Sequence, residues 1–327
     1  MDFQKLRTRY RQFGGLRLVR EYARIGVLPT VGKAFLRCLF HRQSFKEIYP
    51  AVMEKVKPIL QQKYAPVLEE GMVRYASMPL EQRRSKRVWF CWLQGLDAAP
   101  PLVRACYDSL CTHLADRDIT VIDAQNWKDY ADLPDTILRK WEAGRIPAAQ
   151  FSDLLRLQLL IRHGGTWIDA TVFCSGTVHA AEYLDADLFL FQYTPPGEPQ
   201  TGHFSNWFIS ACTNHPLLLI LRDMLFAYWQ DYDCTLDYYI MHHFLLTLSR
   251  VFPETIAAMP YAYSQRSLVL LNHWGEPFNP EKWARLSAKV SFHKLSFRIP
   301  SEIQSDQGNF CNRVVLSFRS NAPSVPD

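Results

Sequence analysis

The sequence predicts an α/β fold in which helices cover both faces of a sheet, and three observations support this prediction. Apolar runs typical of buried strands occur at 87–93, 119–122 and 166–173. Helical patterns separate these runs, and strands that alternate with helices favour a mainly parallel sheet. The chain has 327 residues, of which 48% are hydrophobic and 21% charged, an ordinary globular composition with enough apolar residues for a large core.

The first part of the chain is predicted to be helical. Residues 12–40 alternate basic and apolar positions at helical spacing, and Pro29 interrupts the pattern. Residues 45–78 continue with a helical pattern, which we expect Pro50 and Pro58 to divide into shorter helices. The charged run that follows is expected to be a linker to the first strand.

Two long helices are predicted between the three strands, besides a short one at 138–143. One begins at Pro101 and ends near His113, and a longer one covers 149–163. Gly164 and Gly165 end the longer helix, because glycine readily adopts the left-handed conformation at a helix terminus. Ligands of such sheets bind beyond the carboxyl ends of the strands. The residues just after each predicted strand are therefore candidates for a binding site.

The second half of the chain continues the same alternation. The further predicted elements are a loop at 126–132, a helix at 138–143, a strand at 188–193, a short buried element at 206–211, helices at 216–229 and 236–251, and a strand at 268–272. The tail from Ser301 is polar and is expected to be partly loose.

Basic charge is concentrated near the N-terminus. Residues 1–49 contain eleven Lys and Arg and three acids, a net charge of +8, which leaves −3 for the rest of a chain whose total is +5. A basic amphipathic helix either binds anionic lipid headgroups or packs on the main domain with a solvated basic face, and the sequence leaves both readings open. Nucleic-acid binding is disfavoured, because no recognition motif accompanies the basic residues.

Several classes of protein are excluded by missing motifs. The chain has no G-x-G-x-x-G, no P-loop, no H-E-x-x-H and no G-x-S-x-G motif. Its eight cysteines form no C-x-x-C pair, which is typical of reduced thiols rather than of a disulfide framework or zinc site. No apolar run approaches the ~18 residues of a membrane span. We therefore expect a cytoplasmic protein, with its basic extension at the inner face of the membrane.

The densest group of chemically useful side chains lies around the third strand. Asp153 and Arg156 are three residues apart on a helix and share a face. Trp167, Asp169 and Thr171 point to one face of an extended strand. Each feature alone is ordinary, since such pairs are usually surface ion pairs and a lone aspartate is usually a cap. A carboxylate at a strand end can, however, hold Mg²⁺ or Mn²⁺ beside a departing diphosphate.

Together these segments resemble the bacterial capsular polysaccharide synthesis proteins, a family related to glycosyltransferases that carry a D-x-D signature and act on sugar nucleotides. The similarity covers most of 86–300 and keeps the order and spacing of the family's blocks. The blocks are 89–95, 151–156, 164–171 and 205–211, with weaker ones at 237–240 and 293–296.

The resemblance implies a GT-A-like (Rossmann-like) nucleotide-binding sheet flanked by helices. It implies a basic helical extension over 1–85, a glycosyltransferase domain over 86–300 and a tail over 301–327. It also implies transfer of a hexosyl group, with retention, from a nucleotide sugar to a capsule- or lipopolysaccharide-type acceptor. The donor is expected to be a UDP-sugar, and the acceptor a surface polysaccharide or lipid-linked glycan.

The resemblance also assigns site residues. Trp92 and Gln94 would flank the base, Asp153 and Arg156 would contact ribose or sugar, Gly165 and Thr171 would complete the donor site, Asn206 and Trp207 would line the sugar or acceptor side, and Asp169 would be catalytic and bind the metal. Asp237 is placed on the same acceptor side, and it would be the general base if the reaction inverted the anomeric carbon.

One position departs from the family signature. The second acid of D-x-D is Thr171, and a neutral hydroxyl is a much poorer ligand for a hard cation. Either Asp169 and the diphosphate hold a weakly bound Mn²⁺ or Mg²⁺, which we slightly favour, or basic and hydroxyl groups replace the metal. The basic candidates are His242, His243, His293 and Lys294. The weakened signature also leaves open a non-catalytic nucleotide-sugar-binding adaptor, docked at the membrane by its basic N-terminus.

Overall fold

The chain folds into two compact units that interleave along the sequence. The computed structural model describes residues 13–40, 48–77, 81–199 and 201–318. What we call the sheet unit consists of 81–131, 159–215 and 253–327. What we call the helical unit consists of 1–80, 132–158 and 216–252. The regions predicted from the sequence, in contrast, were each continuous.

The described residues contain strands only in the sheet unit. In chain order these are β1 (Arg87–Cys91), β2 (Asp118–Ile122), β3 (Gly165–Asp169), β4 (Val172–Cys174), β5 (Leu188–Gln192), β6 (Phe204–Ala211) and β7 (Phe292–Lys294). Five of them form one sheet in the order β2-β1-β3-β6-β5, and β4 pairs with β7.

Helices make up much of the rest of the described chain. In chain order these are α1 (Leu16–Arg24), α2 (Leu28–Phe40), α3 (Ile48–Ser77), α4 (Pro101–His113), α5 (Trp127–Tyr130), α6 (Asp135–Glu142), α7 (Ala148–His163), α8 (Ala180–Leu184), α9 (Pro216–Asp231), α10 (Ile240–Val251), α11 (Pro253–Ala258), α12 (Ser264–Ser267), α13 (Val269–His273), α14 (Pro280–Ser287) and α15 (Ser301–Ser305). The predicted α/β class and the N-terminal helices are confirmed.

The sheet is mixed rather than mainly parallel. Strands β2, β1 and β3 run parallel, whereas β6 pairs antiparallel with both β3 and β5. Residues 193–203 join β5 to β6, and this connection is shorter than the crossover of a dozen or more residues that a parallel pair needs. The sequence pattern shows that strands exist, but it does not show how they pair.

The predicted strand at 166–173 is two strands. β3 ends at Asp169, the chain turns at Ala170 and Thr171, and β4 then pairs with β7 outside the main sheet. Val172 and Cys174 of β4 are fully buried in the same core as β1 and β3. A run that is apolar throughout carries no alternation to mark such a break, which explains why the sequence predicted one element.

Helix α3 is continuous, which corrects the expectation that prolines divide it. Pro58 and Pro66 lie inside the helix. Each proline removes one backbone hydrogen bond. The loss is offset by burial of one face, including Val56 and Leu60, and by close packing of Gly71 on α9, where an added Cβ would lie 3.0 Å from Cγ1 of Ile220.

Other expectations about the second half of the chain were wrong. Of residues 268–272, predicted as a strand, 269–272 lie in α13 with Leu270 buried, and 126–132, predicted as a loop, contain α5. The tail from Ser301 was expected to be partly loose; in its described part, 301–318, Cys311 and Val315 are buried against α4 in a π-helical turn, and 319–327 lie outside the described residues. Burial of its few apolar residues, rather than its average polarity, determines where this segment lies. None of the described helices has both the length and the apolar content needed to cross a membrane.

We expect Gly165→Ala to destabilise the fold strongly. Gly165 has φ +91°, and an added Cβ would lie 2.2 Å from the carbonyl oxygen of Arg87 on β1. Gly197 has φ +83° with open space around it, so Gly197→Ala is a matched control for backbone strain alone. The control should cost about 1 kcal/mol in free energy of unfolding, and Gly165→Ala about 1–3 kcal/mol more, measured by urea denaturation. Equal losses would contradict this packing argument.

Candidate functional site

Three parallel strands of the sheet unit end at one edge. Cys91, the last residue of β1, pairs in register with Asp169, the last residue of β3. Trp92 therefore follows directly beside Asp169, and Asp123 follows the end of β2. This carboxyl edge is where α/β sheets bind ligands.

A cluster of four polar side chains forms at the carboxyl edge. The Nε1 of Trp167 donates to Oδ1 of Asp169 at 2.9 Å. The Nζ of Lys294 donates to Oδ2 of Asp169 at 2.9 Å and to Oγ1 of Thr171 at 2.6 Å. The side chains of Asp169 and Lys294 are 25% and 22% exposed, so both reach solvent. We call these four residues the Asp169 cluster. Three of them were predicted to share one face.

Backbone pairing holds Lys294 in the Asp169 cluster. Val172 of β4 is in register with Lys294 of β7, and the backbone N–H of Leu295 donates to the carbonyl oxygen of Thr171 at 2.8 Å. Side chains alternate along a strand, so the neighbouring His293 points away from the cluster. Its Nε2 lies 2.9 Å from Oγ of Ser175.

His293 cannot supply a positive charge at neutral pH. Burial lowers its pKa to about 3, because the protein interior disfavours the charged ring. Of the other two histidines proposed to replace a metal, His242 is half-buried in the helical unit and His243 is hydrogen-bonded to Asp237. Of the four basic residues proposed to replace a metal, Lys294 is the one whose side chain contacts Asp169 and Thr171 in the sheet unit.

The Asp169 cluster does not fit a divalent-cation site. Mg²⁺ and Mn²⁺ need several oxygen ligands, which are typically one or two carboxylates together with waters and substrate phosphates. Here one carboxylate already accepts hydrogen bonds on both oxygens, and the Thr171 hydroxyl accepts another. Elsewhere in the described ranges, no three His, Cys, Asp or Glu side chains are placed to bind a metal. The expectation that Asp169 holds a metal therefore finds no support in this set of ligands.

Trp92 offers both an aromatic ring and an unused donor at the carboxyl edge. Its ring packs edge-on against Phe297, with centroids 5.6 Å apart. Its Nε1 is buried and has no hydrogen-bond partner among the described residues. Gln94 is exposed in the following turn, which the N–H of Gly95 closes by donating to the carbonyl oxygen of Trp92 at 2.9 Å. These positions suit contact with a planar base.

The remaining predicted residues of the sheet unit differ in their suitability for ligand contact. Phe208 of β6 pairs with Ile168 of β3, next to Asp169. Asn206 and Trp207 come just before Phe208 in β6 and therefore lie near the carboxyl edge. Trp207 is buried and stacks on Phe191 with centroids 4.4 Å apart, so it belongs to the core. Gly165 begins β3, about 13 Å from Asp169 along the strand, where its close approach to β1 serves packing.

The predicted pair Asp153 and Arg156 lies in the helical unit. Both side chains are buried, and Nη1 of Arg156 donates to Oδ1 of Asp153 and lies 3.7 Å from Sδ of Met241. The pair is therefore not the exposed ion pair that the spacing usually indicates. Removing one partner of a buried ion pair typically costs 3–5 kcal/mol, roughly, because the other charge is left uncompensated. Its contact with ribose or sugar stays a prediction.

Asp237 lies in a buried network of the helical unit. Its Oδ1 accepts from the hydroxyl of Tyr49 at 2.5 Å and from the N–H of Tyr239 at 3.2 Å, and its Oδ2 is bonded to Nε2 of His243. Burial alone would raise the pKa of Asp237, but the bonds from His243 and Tyr49 outweigh it and hold that pKa below the ordinary value. The contacts favour a structural role, and the predicted general base stays untested.

Sequence reasoning missed Tyr49 and Phe297. Tyr49 begins a helix far from any motif, and Phe297 follows a weak block of the family resemblance. Both gain their significance from contacts across long stretches of chain, which no local pattern records.

Comparison with known proteins places the chain in a family. The sequence profile of the capsular polysaccharide synthesis proteins matches residues 37–314. The chain therefore belongs to this family, and the resemblance drawn from its motifs is confirmed. Among solved structures, it is similar to one described as PaToxG Glycosyltransferase, with 14% sequence identity and a TM-score of 0.38 over 62% of this chain and 83% of that chain. No curated protein matches it significantly.

We expect Asp237→Asn to destabilise the protein at neutral pH and to reduce its sensitivity to acid. The lowered pKa of Asp237 stabilises the fold above the ordinary aspartate range, and this stability is lost as the pH falls through the folded-state value. The variant should lose about 1–3 kcal/mol at pH 7, since hydrogen bonds to a charged group are removed. Urea denaturation at pH 7 and pH 3 measures both effects.

Asp118→Asn is the control for Asp237→Asn, because Asp118 is an exposed acid at the start of β2 that pairs with Arg87 at the surface. It should change the free energy of unfolding by less than about 1 kcal/mol. Equal losses from the two variants would show that the buried network contributes nothing specific.

Proposed function

We propose that the chain is a glycosyltransferase that moves a sugar from a nucleotide sugar to a surface polysaccharide or lipid-linked glycan. The observation that carries this proposal is the Asp169 cluster, a charged group at the carboxyl edge of a nucleotide-binding type of sheet, in a member of the capsular polysaccharide synthesis family. A GT-A-like description of the sheet unit and a UDP-sugar donor belong to the same proposal. UDP-hexoses are the first donors to test.

The reaction breaks one bond and forms one. The bond between the anomeric carbon of the sugar and the diphosphate oxygen breaks, and its electron pair stays on the diphosphate. An oxygen lone pair of the acceptor hydroxyl forms the new bond to the anomeric carbon, and the hydroxyl proton passes to an oxygen of the departing diphosphate. The leaving diphosphate gains negative charge, so a fixed positive charge at the carboxyl edge would stabilise the transition state.

The sheet unit provides groups for both ends of a nucleotide. The half-buried Trp92 ring suits the base, while the Asp169 cluster suits the diphosphate. Asn206, half-buried near the same edge, is the remaining candidate for a sugar hydroxyl. We assign Trp207 to the core beneath this edge.

The outcome at the anomeric carbon is proposed to be retention. An inverting reaction needs a general base for the acceptor hydroxyl. Asp237, the candidate for that role, already accepts hydrogen bonds on both oxygens within a buried network. A carboxylate in that state is a poor proton acceptor, which favours retention over inversion.

The N-terminal helices support docking on an anionic membrane face. Leu16 and Leu36 are 70% and 51% exposed. Exposed basic residues accompany them on α1 and α2, namely Arg17, Arg20, Lys33 and Arg37. Exposed apolar side chains beside basic ones suit the boundary between headgroups and acyl chains. Docking through these helices would hold the chain at the inner face of the membrane, where a membrane-associated acceptor is found.

We expect Asp169→Asn to lower sugar transfer by about 100-fold or more, because the carboxylate that positions the Lys294 ammonium group is lost. The measurement is release of nucleoside diphosphate from a panel of UDP-hexoses, with the thermal midpoint as a check on folding. Asp118→Asn, at the start of β2 and two strands away from β3, is the control and should keep full activity. Full activity in Asp169→Asn would overturn the proposal. Donor binding by the wild type without turnover would instead favour the adaptor.

Membrane docking is tested with Leu16→Ser combined with Leu36→Ser. The double variant should bind vesicles of mixed phosphatidylglycerol and phosphatidylcholine several-fold less than the wild type in co-sedimentation, because apolar insertion is lost. Val73→Ser, which changes an apolar residue 74% exposed on α3, is the control and should leave binding intact. Equal binding by all three proteins would exclude a lipid contact through α1 and α2.

A further inference from the structure

We propose that the ammonium group of Lys294 replaces the divalent cation at this site and binds the diphosphate of the donor directly. The inference rests on the proposed function and identifies the group that neutralises the leaving diphosphate. It predicts a donor site that works without metal, whereas the sequence slightly favoured a metal held by Asp169.

The ammonium group of Lys294 has hydrogen-bonding capacity for a ligand. An ammonium group has three N–H donors. Two of them contact Oδ2 of Asp169 and Oγ1 of Thr171. The third has no hydrogen-bond partner among the described residues, and the 22% exposure of the side chain leaves a path to it for an oxygen of a ligand. A phosphate oxygen would make a charge-assisted hydrogen bond at that position.

The net charge of the site is the same with one acid and an ammonium group as with two acids and a divalent cation. A pair of acids with one divalent cation carries no net charge, and neither does one acid with one ammonium group. Thr171 stands where a second acid would be, and Lys294 contacts both Thr171 and Asp169. The loss of one negative charge and the replacement of a divalent by a monovalent cation therefore balance. A metal beside Asp169 would have to displace the ammonium group or be repelled by it.

The hydroxyl of Thr171 also suits an anionic ligand. Its oxygen accepts from Lys294, so its own proton remains free to be donated. An ionised acid at this position could only accept, and it would repel a diphosphate. Thr171 can instead donate to a phosphate oxygen beside the ammonium group. The departure from D-x-D thus converts a metal-binding position into an anion-binding one.

Lys294 is held in place before any ligand binds. The pairing of β4 with β7 fixes its backbone, and two side-chain contacts fix its ammonium group. Preorganised donors lose little entropy on binding and need no rearrangement as charge develops. As the sugar–oxygen bond breaks, the electron pair moves to the diphosphate oxygen, and the ammonium group stabilises it without giving up its proton.

The experiment compares nucleotide binding with and without metal. Isothermal titration calorimetry measures binding of UDP and of uridine to the full chain, in buffer with EDTA and in buffer with MnCl₂. The variants are Lys294→Met, which keeps the length and removes the charge, and Lys294→Arg, which keeps the charge. Thermal midpoints show whether each variant is folded.

The inference predicts that UDP binds the wild type in EDTA as tightly as in MnCl₂. Lys294→Met should weaken UDP binding about 10- to 100-fold and leave uridine binding unchanged, since one charge-assisted bond to phosphate is lost. Lys294→Arg should retain most of the affinity for UDP. If Lys294→Met fails to fold, the wild-type comparison of EDTA with MnCl₂ still decides the question.

Two results would overturn the inference, and they differ from failure of the proposed function. UDP binding that requires Mn²⁺ in the wild type, or UDP binding unchanged in folded Lys294→Met, would exclude the role of Lys294 while nucleotide binding stands. No binding by the wild type of UDP, GDP, CDP or ADP in either buffer would instead remove the proposed function itself.

Discussion

The ion pair between Lys294 and Asp169 is the contact on which the carboxyl edge of the sheet depends. It joins two residues that are 125 positions apart in the chain. The pair forms because the chain leaves the main sheet after Asp169, turns, and pairs β4 with β7. That geometry brings the Thr171 hydroxyl under the same ammonium group. The Trp167 ring nitrogen fixes the other carboxylate oxygen. Without Lys294, this edge would expose an uncompensated carboxylate, which would repel any diphosphate.

The sequence predicted the elements of the fold better than their pairing. Strands β1, β2 and β5 and helices α4, α7 and α9 follow from apolar runs and helical periodicity, which are local properties. The antiparallel half of the sheet, the break after Asp169 and the burial of the C-terminal π-helical turn depend on partners far away in the chain. Long helix α3 shows the same limit, because packing against α9 keeps it continuous through two prolines. Local propensity is a weak guide where tertiary packing opposes it.

The candidate site likewise combines features that local spacing predicts with features that depend on distant parts of the chain. Spacing alone grouped Trp167, Asp169 and Thr171 on one face, and the structure joins them. Spacing could not show that Asp153 and Arg156 are buried, or that Asp237 shares its oxygens with Tyr49 and His243. Nor could it choose among four basic residues for the partner of Asp169, because that choice depends on the register of β7 against β4. Residue identity gives the available chemistry, and burial and register decide which part of it a ligand can use.

A double-mutant cycle between Asp169 and Lys294 tests the central claim most directly. The cycle compares Asp169→Asn, Lys294→Met and the double variant, with release of nucleoside diphosphate from a UDP-hexose as the readout. If the two residues act as one unit on the diphosphate, the double variant should be little worse than either single one, with a coupling energy of about 1–3 kcal/mol. Losses that add to within about 0.5 kcal/mol would show that the two side chains act independently, and would contradict the account.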